Sequence, residues 1–176
     1  MRVSLRGKLD KKMIITLTGF MGCGKSSTGR ELAARLGARF TDLDAEIVAR
    51  DGRSIPEIFR EGGESAFRAV ELETLRAVLD AADAAGEDLV LALGGGTLTL
   101  PEARALVLAR TRCVWLRTRL ETIRERLGAT DASRPLFQDA EALFARRAPI
   151  YAQAHLAVDT DGKTPAEIAG EIVALF

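Results

Sequence analysis

A chain of 176 residues can bury a substantial core, and we expect one domain over residues 1–176. Its 25 acidic and 25 basic residues balance, which argues against nucleic acid or an anionic membrane surface as a partner. Two cysteines and one histidine cannot supply a disulfide framework or a zinc site, and neither a secretory signal nor a bilayer-spanning apolar run is evident, so we expect a cytoplasmic protein.

Short apolar runs alternate with helical patterns along the chain. The predicted strands are residues 13–18, 39–42, 89–93, 112–117 and 155–158. One helical pattern starts near Lys25, and another runs through residues 67–79. This alternation predicts an α/β fold, in which a parallel sheet lies between two layers of helices and binds ligands at the carboxyl ends of its strands.

Three predicted helix starts carry the capping-box pattern, in which a Thr is followed three residues later by a Glu. The Thr residues are Thr99, Thr118 and Thr164. Two of these starts have a proline just inside the helix, which favours the first turn. Residues 1–12 are expected to form an N-terminal extension without an evident role.

A phosphate-binding loop follows the first predicted strand. Residues 19–26, GFMGCGKS, match the pattern G-x-x-x-x-G-K-[ST]. Glycines let the backbone turn its N–H groups toward phosphate oxygens, and the helix N-terminus adds partial positive charge. Lys25 would add a full charge, and Ser26 would offer a hydroxyl to Mg²⁺. The loop residues predicted to bind ATP are Gly22, Cys23, Gly24, Lys25, Ser26 and Ser27.

Two carboxylates end the second predicted strand. Asp42 and Asp44 are two residues apart, so in an extended chain both would face the same side, one toward a metal ion and the other toward an acceptor hydroxyl. Capping of the following helix is the competing interpretation. The sequence contains no Asn, which excludes the guanine-recognising N-K-x-D motif of GTPases.

Three consecutive glycines follow the third predicted strand, so the backbone there carries no side chains. They are Gly94, Gly95 and Gly96. This segment would either approach a ligand closely or form an ordinary turn. The two interpretations stay open on the sequence of the segment alone.

Arg68 and Arg147 each have an ordinary and a functional interpretation, and a third arginine lies in a predicted lid. Arg68 either pairs with the Glu four residues before it or binds an anion. Arg147 either belongs to a solvated basic turn or binds an anion, and it precedes Pro149, which is expected to break the helix there. Residues 127–138 are mostly small and polar and predict a mobile lid, whose Arg134 would reach the transferred phosphoryl group.

Together these motifs resemble those of the shikimate kinases. The matching segments are residues 40–44, 52–68, 93–96, 134–137 and 147–151, in family-like order and spacing. The resemblance implies a five-stranded parallel sheet in a P-loop NTPase of the nucleoside-monophosphate-kinase type, acting as a monomer. It also implies transfer of the γ-phosphoryl group of ATP to the 3-hydroxyl of shikimate, in the pathway to chorismate and the aromatic amino acids.

The resemblance further implies which residues hold the acceptor. The residues implied for shikimate are Asp44, Arg68, Gly95 and Arg147. The two arginines would bind its carboxylate, since paired guanidinium groups give directional, charge-assisted bonds. The ring hydroxyls would bind Asp44 and the Gly95 backbone.

Residues for catalysis, ATP and the metal ion are implied in the same way. The catalytic set is Lys25, Asp44 and Arg134. Ser26 and Asp42 would hold Mg²⁺, and Arg134 would close over the phosphates with the lid. Arg126 and Lys163 match positions near the adenine and the phosphates.

Two alternatives remain open on the sequence. Another small-metabolite kinase, such as a gluconate kinase, also takes an acceptor with a carboxylate and hydroxyls. A catalytically silent relative would bind nucleotide and serve as a partner module, and we would expect it to have lost an acceptor-site or lid residue.

Overall fold

The computed structural model describes residues 12–128 and 139–176. The predicted extension, apart from residue 12, lies outside the described residues. So do Arg134 and most of the segment predicted to be a lid.

Strands and helices alternate along the described chain. In order, the elements are β1 (Ile14–Thr18), α1 (Lys25–Leu36), β2 (Arg39–Asp42), α2 (Leu43–Asp51), α3 (Ile55–Ala85), β3 (Leu89–Ala92), a short 3₁₀ helix (Thr97–Thr99), α4 (Pro101–Arg110), β4 (Arg112–Arg117), α5 (Leu120–Gly128), α6 (Ala140–Tyr151), β5 (Leu156–Asp159) and α7 (Pro165–Ala174). Each predicted strand is present, with its ends within one residue of the prediction. Across the described ranges, no helix has both the length and the apolar character needed to cross a bilayer.

The five strands of the described chain form one sheet in the order β2-β3-β1-β4-β5. All four neighbouring pairs are parallel. The predicted α/β fold with a five-stranded parallel sheet is therefore confirmed. This order sets the carboxyl ends of β2, β3 and β1 side by side.

Apolar side chains cover both faces of the sheet. Ile14 and Ile15 are neighbours in β1 and belong to clusters on opposite faces, because successive strand residues alternate in direction. Leu75 of α3 packs in the first cluster, while Leu32 of α1 and Ile168 of α7 pack in the second. Every residue of β3 is buried, as its lack of polar alternation predicts.

One of the three predicted capping boxes forms. Thr164 accepts from the backbone N–H of Glu167 at 3.2 Å, and the Glu167 carboxylate accepts from the Thr164 N–H at 2.7 Å. The other two predictions were wrong. Thr99 lies in the 3₁₀ helix and donates its hydroxyl to a glycine carbonyl at 2.5 Å, and Thr118 shares a hydrogen bond with Thr160 at 2.5 Å.

Helix α3 starts at a capping box that sequence analysis missed. Ser54 accepts from the N–H of Glu57, whose carboxylate accepts from the Ser54 N–H at 2.7 Å. The S-x-x-E pattern was present in the sequence and could have identified it. At Gly63 the backbone leaves the helical conformation (φ 72°, ψ −171°), so α3 consists of two helical segments, and the second carries Arg68.

Candidate active site

The segments that follow β1, β2 and β3 surround a cleft of about 330 Å³ at the carboxyl edge of the sheet. Because these strands are neighbours in the sheet, segments distant in sequence meet there. The phosphate-loop residues that line the cleft include Gly22, Gly24, Lys25, Ser26 and Ser27. Asp42 and Asp44 line its β2 side, and Gly94 and Gly95 line its β3 side.

The conformation of the phosphate loop depends on its glycines. Gly19, Gly22 and Gly24 have φ values of 148°, 75° and 92°, which residues with a side chain rarely adopt. A Cβ on Gly19 would also lie 2.8 Å from the Leu116 carbonyl oxygen and 2.8 Å from Sγ of Cys23. The first turn of the loop therefore requires glycine for both conformation and space.

Lys25 begins α1 and extends over the loop. Its ammonium group donates to the carbonyl oxygens of Gly19 at 2.9 Å and Phe20 at 3.0 Å. The free N–H groups of the first helical turn lie at the same end of α1, where they favour an anion. Cys23 is buried and does not line the cleft, so only its backbone is suited to phosphate binding.

Ser26 and Asp42 meet through a short hydrogen bond. The Ser26 hydroxyl donates to Oδ2 of Asp42 at 2.5 Å, while Oδ1 accepts from the N–H of Asp44 at 3.0 Å and caps α2. The capping interpretation is therefore right for Asp42. The expected extended geometry is wrong, because the strand ends at Asp42 and Asp44 lies in the first turn of α2.

The oxygen ligands beside the phosphate loop suit a hard cation. Ser26 and Asp42 provide a hydroxyl and a carboxylate, the ligand types that Mg²⁺ prefers. Within the described ranges, no group of three or more metal-ligating side chains is present. A cation at this point would therefore take most of its ligands from phosphate and water, as Mg²⁺ does in nucleotide sites.

Asp44 lies among other charged groups at the edge of the cleft. A Cβ on Gly94 would be 3.0 Å from Oδ1 of Asp44 and 3.0 Å from Oε1 of Glu71. Burial of the carboxylate raises the pKa of Asp44, and the negative charges of Asp42 and Glu71 raise it further, against the smaller effect of two nearby cations. The residue is nevertheless accessible from the cleft, so a ligand can reach it.

The glycine segment after β3, residues 94–96, lies where side chains from several elements converge. A Cβ on Gly95 would lie 3.5 Å from Nη1 of Arg147 and 3.7 Å from the backbone nitrogen of Met21. A Cβ on Gly96 would lie 2.9 Å from Cζ of Arg68. The segment therefore brings Arg68, Arg147 and the phosphate loop together around bare backbone.

A buried carboxylate orients Arg68. Nη1 of Arg68 donates to Oε2 of Glu71 at 2.6 Å, and Nη2 donates to Glu64 at 3.4 Å. Glu71 is 1 % exposed, and its other oxygen accepts from the Thr97 hydroxyl at 2.6 Å. The pair with Glu64 expected from the sequence exists, but Glu71 is the closer partner. Sequence analysis missed Glu71, whose signal was an acidic residue on the apolar stripe of α3.

Arg147 and Tyr151 reach the glycine segment from α6. The Tyr151 hydroxyl donates to the Gly95 carbonyl oxygen at 2.5 Å. Burial raises the pKa of Tyr151 to about 12, against an opposing effect of the Arg147 charge. Pro149 lies inside α6, which continues to Tyr151, so the predicted helix break does not occur.

The remaining residues that were predicted to bind ATP lie in different parts of the structure. Arg126 donates to the Gly22 carbonyl oxygen at 3.3 Å, beside the phosphate loop. Lys163 pairs with Glu171 of α7 at 2.8 Å and does not line the cleft. Arg134 lies outside the described residues. The geometry therefore separates Lys163 from the other described residues that were predicted to bind ATP.

The chain is similar to known proteins over most of its length. The shikimate kinase family model matches residues 21–176. A shikimate kinase of Thermus thermophilus is 47% identical over 166 residues, which cover 90% of this chain and 87% of the relative. A shikimate kinase of Persephonella marina is 40% identical over 163 residues, covering 90% and 96% of the two chains. The solved structure of an Acinetobacter baumannii shikimate kinase in complex with shikimate matches with a TM-score of 0.83 and 34% identity, covering 93% of this chain and 92% of that one.

Proposed function

The chain belongs to the shikimate kinase family, and from this membership we propose that the cleft beside Gly95 is where it transfers the γ-phosphoryl group of ATP to the 3-hydroxyl of shikimate. This reaction gives shikimate 3-phosphate, a precursor of chorismate and the aromatic amino acids. The observation that carries the assignment to this cleft is the convergence of Asp44, Arg68 and Arg147 on the glycine segment, opposite the phosphate loop.

The nucleotide half of the cleft is the loop from Gly22 to Ser27. Its backbone N–H groups and the α1 N-terminus bind the phosphates of ATP. Lys25 has three donors, so it can keep a loop carbonyl while it binds the β- and γ-phosphates. Ser26 and Asp42 would hold Mg²⁺. When bound, this ion offsets negative charge on the phosphate oxygens.

Residues farther along the chain complete the nucleotide site in this proposal. Arg126, which already contacts the Gly22 carbonyl, lies near the nucleotide. Arg134 approaches the transferred phosphoryl group. Lys163 reaches ATP only if it leaves its pair with Glu171, and that exchange makes it the weakest of the three assignments.

The acceptor half of the cleft is built for a carboxylate next to hydroxyl groups. Arg68 is oriented by Glu71 and leaves the rest of its guanidinium group for an anion. Arg147 lies beside the Gly95 backbone and supplies the second guanidinium group. Together they hold the shikimate carboxylate, while Asp44 and Gly95 hold its ring hydroxyls. A neutral sugar would offer no anion to Arg147, nor to the part of the Arg68 guanidinium group that its glutamate partners do not bind, which disfavours such an acceptor.

Transfer requires a bond change and a proton acceptor. The shikimate oxygen forms a bond to the γ-phosphorus as the bond to the leaving ADP oxygen breaks, and the hydroxyl proton passes to Asp44. The raised pKa of Asp44 makes it a better acceptor than an ordinary aspartate. Lys25 stabilises the charge on the transferred oxygens. One chain supplies both halves of the cleft, and we propose that it acts as a monomer.

The test is ADP release with and without shikimate. We expect release to depend on shikimate, with Lys25→Met inactive, because its loss removes the charge at the transferred group while the fold is kept. A coupled ADP assay with an acceptor panel that includes gluconate measures this. Release that gluconate stimulates more than shikimate would contradict the proposal, as would full turnover in Lys25→Met with an unchanged circular dichroism spectrum.

A further inference from the structure

We propose that Tyr151 is a positioning residue for the acceptor, which holds the Gly95 carbonyl and thereby fixes the glycine segment between the phosphate loop and Arg147. The inference rests on the proposed function, because it requires that the acceptor binds in this cleft. Tyr151 acts on the acceptor through Gly95 and Arg147 and does not touch it.

The hydrogen bond from Tyr151 is short and shielded from water. The hydroxyl donates to the Gly95 carbonyl oxygen at 2.5 Å. Tyr151 is 1 % exposed and packs in a cluster with Phe20 and Ile123, and its ring lies 6.1 Å from that of Trp115. Because water has little access to the hydroxyl, removing it would leave the carbonyl without an equivalent partner.

This bond matters because the glycine segment has no side chains to restrain it. Glycine has more accessible backbone conformations than any other residue, so residues 94–96 need a restraint from outside. The peptide unit is planar and trans, so the N–H of Gly96 points opposite to the carbonyl of Gly95. A donor that fixes this carbonyl therefore also fixes the direction of the next N–H.

The same side chain lies beside Arg147. The two residues are four positions apart in α6 and so lie on one face of the helix. Nη1 of Arg147 lies 3.5 Å from the point where a Cβ on Gly95 would stand. Burial raises the pKa of Tyr151 to about 12, against the opposing charge of Arg147, so the phenol keeps its proton at neutral pH and remains a donor.

The Tyr151 ring also borders the nucleotide half of the cleft. It packs with Phe20 of the phosphate loop, whose carbonyl oxygen accepts from Lys25 at 3.0 Å. Removing the whole ring would therefore disturb both halves of the cleft. A decisive variant must keep the ring and remove only the hydroxyl.

Tyr151→Phe meets this requirement. We expect the KM for shikimate to rise about tenfold, since one shielded hydrogen bond to the acceptor-binding backbone is lost, with the KM for ATP changed less than about twofold. Steady-state kinetics with each substrate varied in turn measure the two constants. An unchanged KM for shikimate would overturn the inference. A rise shared equally by both constants would also overturn it, because it would indicate a purely structural role.

Thr111→Val is the matched control. The buried Thr111 hydroxyl also donates to a backbone carbonyl, that of Val107 at 2.9 Å, and shares a second hydrogen bond with the Thr16 hydroxyl at 2.8 Å. It lies just before β4, at the opposite edge of the sheet from the cleft. We expect Thr111→Val to lower the thermal stability at least as much as Tyr151→Phe does, while both of its KM values stay unchanged. A rise in the KM for shikimate in this control as large as in Tyr151→Phe would overturn the inference.

The experiment separates two kinds of failure. A wild-type chain that releases no ADP with shikimate would overturn the proposed function and this inference with it. An active wild-type chain whose Tyr151→Phe variant keeps the same KM for shikimate would overturn the inference alone.

Discussion

Asp42, Asp44 and Glu71 are carboxylates within one small region, and each has different partners. Asp42 accepts from Ser26 and caps α2, and Glu71 accepts from Arg68 and Thr97. Asp44 instead experiences burial and the negative charge of the other two carboxylates, which raise its pKa. The residue proposed to accept the hydroxyl proton is therefore one whose pKa the site raises.

This arrangement predicts a pH dependence to which burial of Asp44 and the charge of Asp42 contribute most, and Glu71 contributes further. As the pH falls through the pKa of Asp44, the carboxylate gains a proton and can no longer accept one, so kcat falls on the acid side. Because the pKa is raised, the loss begins at higher pH than for an ordinary aspartate of pKa 3.8. Glu71→Gln removes a neighbouring negative charge, so we expect its acid limb to move to lower pH. Profiles of kcat/KM for shikimate measure the shift, because they report the ionisations of the enzyme before shikimate binds.

Both proteins act on the same substrates, so the ionisations of the substrates are the same in the two profiles. The difference between the profiles therefore reflects the ionisation of groups on the protein. Glu71→Gln also weakens the contact that orients Arg68, which we expect to lower the height of the profile, while the positive charge of Arg68 near Asp44 is kept. An acid limb that stays in place, or moves to higher pH, would contradict the electrostatic coupling between Glu71 and Asp44.

At the scale of elements, one sequence pattern has different outcomes in different places. Thr164 and Ser54 precede helices that begin at the next residue, so their side chains can cap the first turn. Thr99 is the last residue of the 3₁₀ helix that precedes α4. The residue directly before α4 is Leu100, so Thr99 is not in the capping position. The pattern therefore predicts a cap only where the backbone enters the helix at the expected residue.

The cap at α7 predicts a measurable loss of stability. Thr164→Ala removes the acceptor for the N–H of Glu167, and we expect the free energy of unfolding to fall by about 1 kcal/mol. Urea unfolding followed by circular dichroism measures the change. Glu102→Ala, in the box that does not form, is the control and should destabilise less. Equal losses in the two variants would show that the observed cap has no special contribution.

At the scale of the whole molecule, the strand order places the functional residues. The phosphate loop follows β1, the carboxylates follow β2 and the glycine segment follows β3, and these strands are neighbours in the order β2-β3-β1. Helix α6 then adds Arg147 and Tyr151 from a distant part of the chain. The cleft therefore exists only when the whole sheet has formed, so ligand binding should stabilise the whole fold.

Ligand-linked stability tests the two halves of the cleft separately. A ligand at about 100 times its Kd adds roughly 2.7 kcal/mol, which for a chain of this size raises the Tm by about 5 °C or more. We expect shikimate and an ATP analogue each to raise the Tm of the wild type. Arg147→Ala should lose the shift with shikimate and keep the shift with the ATP analogue, as differential scanning fluorimetry measures. Loss of both shifts would indicate that Arg147 supports the fold rather than the acceptor.

The order of strands and helices, the phosphate loop and the glycine segment were all predictable from sequence. Each depends on residues close together in the chain, such as the loop glycines that must adopt positive φ or the unbroken apolar run of β3. The family resemblance, which the comparisons confirm, rests on the same local motifs. The wrong predictions came from extending a local pattern beyond the residues that it covers. The extended geometry expected for Asp44 is one example.

The sequence by itself thus determined the fold class and the family, and it supplied most of the candidate residues of the site. Only the tertiary structure decided their partners. Glu71 meets Thr97 across 26 positions, and Tyr151 meets Gly95 across 56. The physical reason is that local propensity acts over a few residues, whereas these hydrogen bonds form only after the sheet has set β3 beside β1 and the helices have packed around it.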